Sequence, residues 1–125
     1  MTKQELVLES LIYIEWNLLG GISVKKTSEA MNCSLQYLGK AFYELLGMRL
    51  ARYIHLRVLS EARKKVTATY SLKEVAKCFE MSPEKLIYSF QKEFGYSIFS
   101  DRDIAFPLPL GKDLIKILLV RFKDI

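Results

Sequence analysis

The feature that most constrains this chain is its punctuation. Helical runs of apolar residues, spaced by threes and fours, are opened by capping residues and closed by glycine or asparagine along most of its length. Thr2 with Glu5 forms a capping box, and Leu8, Leu11, Ile12, Ile14, Leu18 and Leu19 follow at helical spacing until Gly20-Gly21 stops them. A short helix is expected over Lys25 to Met31, ended by Asn32. Ser34 can cap a third helix with Leu35, Leu38, Phe42, Leu45 and Leu46 on its buried side and Gly47 at its end. From Leu50 to about Val66 the stripe Leu50, Tyr53, Ile54, Arg57, Val58 and Ala62 predicts one longer helix. The first plan then recurs. Ser71 with Glu74 is a second capping box ahead of Val75, Ala76 and Phe79. Ser82 caps a following helix with Pro83 at its first position, where a missing N–H costs nothing, and with Leu86, Ile87, Phe90 and Phe94 on its apolar side.

A short helix, a tight turn and a second helix therefore occur twice, on either side of a basic helix. Helix-turn-helix units have this arrangement, and their second helix can enter the major groove; a plain helical bundle shares the periodicity. The expected fold is all-α, with two helix-turn-helix subdomains at about 1–48 and 67–103, a linker helix at about 50–66, and an apolar tail at 104–125. A rod of about 17 residues is roughly 25 Å long. Reading helices flanking it could face successive major-groove segments about 34 Å apart, on one asymmetric site.

Charge sharpens the partner. The chain is +5, and the six basic residues Arg49, Arg52, Arg57, Arg63, Lys64 and Lys65 against the single acid Glu61 account for all of it. Such a segment suits phosphate partners, or else a solvated helix face with some structural arginines. Cys33 and Cys78 match no metal spacing and read as two free thiols in a reducing interior. Charges at Lys3, Glu5 and Glu9 interrupt the first apolar run, so it is not a signal peptide, and no run reaches the roughly 20 residues of a membrane span. A soluble cytoplasmic protein is expected. The lone His55 has no nucleophile at any familiar spacing, and glycines form no phosphate loop, so neither an enzyme nor a bound cofactor or metal is expected. Trp16 reads as a packing residue.

Several stretches together resemble a known family. "LIYIEWNLLGGISV" is similar to the opening helix and entry of the AraC/XylS transcriptional regulators, in their MarA/SoxS/Rob-like branch. In "SLQYLGKAFYELLGMRLARYIHLRVLSEA", residues Tyr37-Leu38, Phe42, Gly47, Tyr53-Ile54, Arg57, Leu59 and Ala62 fall at the family's spacing. "VAKCFEMS" and "FQKEFGYS" resemble its second unit through Phe90, Phe94 and Gly95. The resemblance spans roughly residues 6 to 102. It implies a homeodomain-like, AraC-type architecture and a bacterial transcription activator that binds double-stranded DNA and contacts RNA polymerase.

Departures from the branch matter as much. Its first reading helix presents Trp and Arg four positions apart, where this chain has Gln36 and Lys40. Glutamine can bond adenine bidentately, and lysine can donate to guanine or phosphate, so these two are the expected base contacts. Gly39 lies between them. A mid-helix glycine costs about 1 kcal/mol relative to alanine, so it either serves close approach to DNA or is simply tolerated. On the second reading helix, Pro83, Glu84 and Tyr88 stand where the branch offers two glutamines and an arginine. The preceding turn reads one residue shorter than usual, and a slip of one would bring Lys85 forward. Glu84 can accept from cytosine N4 or simply favour a helix start, an effect of roughly 0.3–1 kcal/mol. Lys26, Tyr37, Arg52, Ser82, Lys85, Tyr88 and Lys92 are candidates for backbone or secondary contacts. "SIFSDR" keeps only Arg102 of the family's closing motif.

The tail reads in three ways. Pro107, Pro109 and Gly111 break any helix, and Leu114 to Phe122 is almost wholly apolar around Lys116 and Arg121. It can pack as a helix or strand on the domain, serve self-association or a protein partner, or attach to a membrane surface. The second possibility carries an alternative function: a family-derived regulator that has lost specific readout and acts by binding another protein through its tail.

Overall fold

Serine and threonine set the helix starts. In the computed structural model, which describes residues 1–68, 70–103 and 110–124, the hydroxyls of Thr2, Ser34, Ser71 and Ser82 accept the backbone N–H three residues on, at 3.1–3.2 Å. Ser23, which the sequence reading passed over, caps another helix through the Lys26 N–H. The elements are α1 (Lys3–Trp16), α2 (Val24–Ala30), α3 (Leu35–Leu46), α4 (Leu50–Ala68), α5 (Leu72–Cys78), α6 (Pro83–Phe94), α7 (Lys112–Arg121) and a 3-10 turn (Phe122–Asp124). Regular structure among the described residues is entirely helical, so the chain is all-α.

The pairs α2–α3 and α5–α6 repeat each other residue for residue. Ser23 and Ser71 open the short helices, Asn32 and Glu80 take left-handed φ values of 56° and 55° in the turns, Ser34 and Ser82 open the long helices, and Gly47 and Gly95 close them. All four correspondences have the same sequence offset. The register of α6 against α3 is thereby set within the molecule: Glu84 answers to Gln36, Tyr88 to Lys40, and Phe90 to Phe42. The two turns are equally long, and no one-residue slip separates the pairs.

Buried side chains from α1, α3, α4, α5, α6 and α7 join in one apolar cluster. Helix α4 touches both pairs, packing on α2 and α3 and on α5 and α6. Phe42 meets Tyr53 edge-on at 5.5 Å, while Phe90 lies tilted against Phe94 at 4.5 Å and edge-on to Tyr96 at 5.7 Å. Direct contacts also tie the α1–α2 loop to the second pair. The Gly20 N–H donates to the Cys78 carbonyl at 2.9 Å, and the Glu80 carboxylate occupies the space a side chain at Gly21 would need.

One expectation is corrected. Trp16 is no packing residue: it is 85% exposed, because Leu6, Val7, Ser10, Leu11 and Ile14 turn to the core and leave Trp16 on the far side of α1. Ile12 and Leu19 are also exposed. Of the readings open for the tail, its described part takes the first and packs on the domain as a helix. Helix α7 packs on α1, Leu118 is 1% exposed, and the Gly111 N–H donates to the Tyr53 hydroxyl at 3.0 Å. Pro107 and Pro109 lie outside the described residues.

Candidate nucleic-acid interface

Helix α3 is amphipathic, with one buried face and one exposed face. Leu38, Ala41 and Phe42 are buried, which turns Gln36, Tyr37, Lys40 and Tyr43 to the surface. Gln36 and Lys40 are four residues apart, one helical turn, so both face the same way. They line an open cleft of about 370 Å³ with Gly39, Tyr43, Val24 and Leu35, and with Arg49 at the start of α4. The structure thus brings Arg49 beside the two expected base contacts. Arg49 belongs to the basic segment, but nothing local in the sequence marks it for this site, because no local signal says that the turn after Gly47 folds back along α3.

The other basic residues of that segment are largely committed within the molecule. Arg57 is 8% exposed and grips Glu15 of α1 bidentately, at 2.8 Å from Nε and 2.7 Å from Nη2, while Nη1 donates to Ser60 at 2.8 Å. Burial by itself would lower its pKa, but the Glu15 carboxylate outweighs that and holds it above the ordinary value. Arg63, also 8% exposed, donates to the Ser100 carbonyl. Arg52 pairs with Glu93 of α6, which also lies 4.0 Å from His55. Arg57 and Arg63 are structural arginines of the kind the charge pattern left open, whereas Arg52, a candidate backbone contact, keeps 53% of its side chain exposed beside Glu93.

The remaining candidates divide by what already engages them. Lys26 is exposed, but its ammonium donates to the Gly21 and Gly20 carbonyls at 2.9 and 3.4 Å. Tyr37 is 48% exposed. On α6, the Ser82 oxygen accepts the Lys85 N–H, so towards a phosphate its hydroxyl is left to donate. Lys85, Tyr88 and Lys92 are exposed, with the Lys92 ammonium 5.9 Å from the centre of the Tyr88 ring. Glu84 is exposed in the first turn of α6, where a carboxylate complements the helix dipole. Position for position, then, α3 offers an amide and an ammonium where α6 offers a carboxylate and a phenol.

No group of three or more His, Cys, Asp or Glu side chains able to hold a metal occurs among the described residues, and no helix there is long and apolar enough to cross a membrane. Cys33 and Cys78 are free, and partial burial raises the Cys33 thiol pKa. No family model matches the chain, and no curated protein sequence matches it.

Proposed function

We propose that this chain is a sequence-specific, DNA-binding transcriptional regulator that reads an asymmetric site through two helix-turn-helix motifs, α2–α3 and α5–α6. The observation that carries this reading is the repeated helix pair with a polar face on each second helix, and above all the open cleft where Gln36, Lys40 and Arg49 converge. Gln36 and Lys40 contact bases, and Arg49 adds positive charge beside them. Helix α6 leans on the backbone through Lys85, Tyr88 and Lys92, since Glu84 at its start disfavours phosphates. The resemblance to the AraC/XylS family supports the same function and adds its expected setting: a cytoplasmic bacterial activator that contacts RNA polymerase, with no cofactor and no catalysis.

Selection of bound duplexes from a random pool tests the proposal, followed by titration at several salt concentrations. The regulator reading expects an enriched sequence bound at least roughly 10³-fold more tightly than random duplex. A pool without enrichment, together with affinity that vanishes at physiological salt, would rule it out.

One observation favours the second reading, a protein-interaction regulator. Helix α7 buries Leu118 but leaves Leu119 at 51% and Val120 at 73% exposure beside the exposed Lys112, Lys116 and Lys123. If the pool returns nothing while Val120→Asp abolishes association with a partner protein, this reading replaces the first.

A further inference from the structure

Gly39 lies in the middle of α3 between Gln36 and Lys40, and nothing inside the molecule requires it. Its φ is not among the positive values that favour glycine. A Cβ built on it would meet no atom within 4 Å, so no neighbour excludes a side chain. Alanine would make a better helix. A glycine demanded neither by backbone angle nor by packing leaves a surface bare for something outside the chain. That surface belongs to the cleft with Val24, Leu35 and Tyr43 as apolar lining and Gln36, Lys40 and Arg49 as polar groups.

We infer that Gly39 is the close-approach point of α3, and that the cleft receives the methyl-bearing edge of a thymine adjacent to the adenine that Gln36 reads. This rests on the proposed function and deepens it by naming a base. The C5-methyl of thymine is the apolar group that major-groove base edges present. The cleft meets it with bare helix backbone and aliphatic and aromatic carbon. The amide of Gln36 suits an adenine, which puts A·T pairs at this end of the site. Lys40 and Arg49 supply the positive charge that draws a DNA edge, rather than a neutral apolar molecule, into the same space. A side chain at position 39 would stand where the methyl group has to lie.

The test begins from the selected duplex. Each thymine is replaced in turn by uracil, which removes only the methyl group, and both the wild type and Gly39→Ala are titrated against every duplex. One thymine-to-uracil change should weaken the wild type about threefold to tenfold. Gly39→Ala should weaken binding to the thymine duplex by at least that factor and no longer distinguish thymine from uracil there. The melting temperature of the free variant should meanwhile rise by about 4 °C, as a better helix former requires. The inference is overturned if thymine and uracil bind alike at every position, if Gly39→Ala binds the selected duplex as well as wild type, or if the free variant is less stable. A pool with no preferred sequence overturns the DNA-reading proposal itself. A preferred sequence indifferent to methyl groups overturns only the thymine contact.

Discussion

Tyr53 joins three elements through one side chain. Its ring packs against Phe42 of α3, and its hydroxyl accepts the N–H of Gly111 just before α7. Burial pushes the phenol pKa from 10.0 up to about 12, partly opposed by the Gly111 hydrogen bond. Folding therefore favours the protonated phenol. Its contribution is fully present below about pH 10 and is lost as pH rises towards about 12, because the unfolded chain gives up that proton first. The loss should amount to about 2–3 kcal/mol across that window. Tyr53→Phe should remove this alkaline step but cost about 1–3 kcal/mol at neutral pH, by leaving the buried Gly111 N–H without an acceptor. Urea unfolding followed at neutral and alkaline pH measures both. Helical spacing along α4 predicted that Tyr53 faces the core. It gave no sign of Gly111, which lies far along the chain beyond a proline-rich stretch.

Among the elements, the helices were the most legible part of the chain, since a cap is a contact between residues three apart and its signal is local. Ser34→Ala should cost about 1 kcal/mol by freeing the Tyr37 N–H, and Ser82→Ala about the same through Lys85; thermal unfolding of each variant checks this. Boundaries moved by a residue or two where α2 began earlier at Val24 and α4 ran on to Ala68. The candidate site was half legible. Gln36 and Lys40 stood out through the family resemblance, and helical spacing puts them on one face, whereas Arg49 was hidden in a run whose other arginines are engaged by Glu15, Ser100 and Glu93. On the proposed function, Gln36→Ala and Lys40→Ala should each weaken binding to the preferred duplex by about 1–3 kcal/mol. Glu84→Ala should leave affinity unchanged or improve it. A loss from Glu84→Ala equal to that from Gln36→Ala would reverse the roles given to α3 and α6.

At the scale of the whole molecule, the second helix pair is tied to α4 and to the α1–α2 loop by contacts that no local pattern announces. Glu93 reaches from α6 to Arg52 and His55 on α4, and the Gly20 N–H reaches the Cys78 carbonyl. Helix α7 completes the core beside α1. Leu118→Ala should therefore destabilise the fold by about 2–5 kcal/mol, as expected for emptying a buried leucine site rather than trimming a loose tail. Denaturant unfolding followed by far-ultraviolet circular dichroism measures the change, and a cost near zero would mean that α7 adds nothing to the core.

The sequence by itself determined the all-helical class, the capped starts and glycine stops, and, except for the exposed Leu35, the face that each reading-candidate helix would bury. All of these depend on neighbours within about one turn of helix. Tertiary structure alone decided which charges remain at the surface, that Trp16 faces solvent, and that Leu118 of α7 joins the core. The fate of a charge or an apolar side chain depends on what lies across from it in space. For Arg57 that is Glu15, and for Leu118 it is the apolar cluster built by the other helices; chain spacing encodes neither.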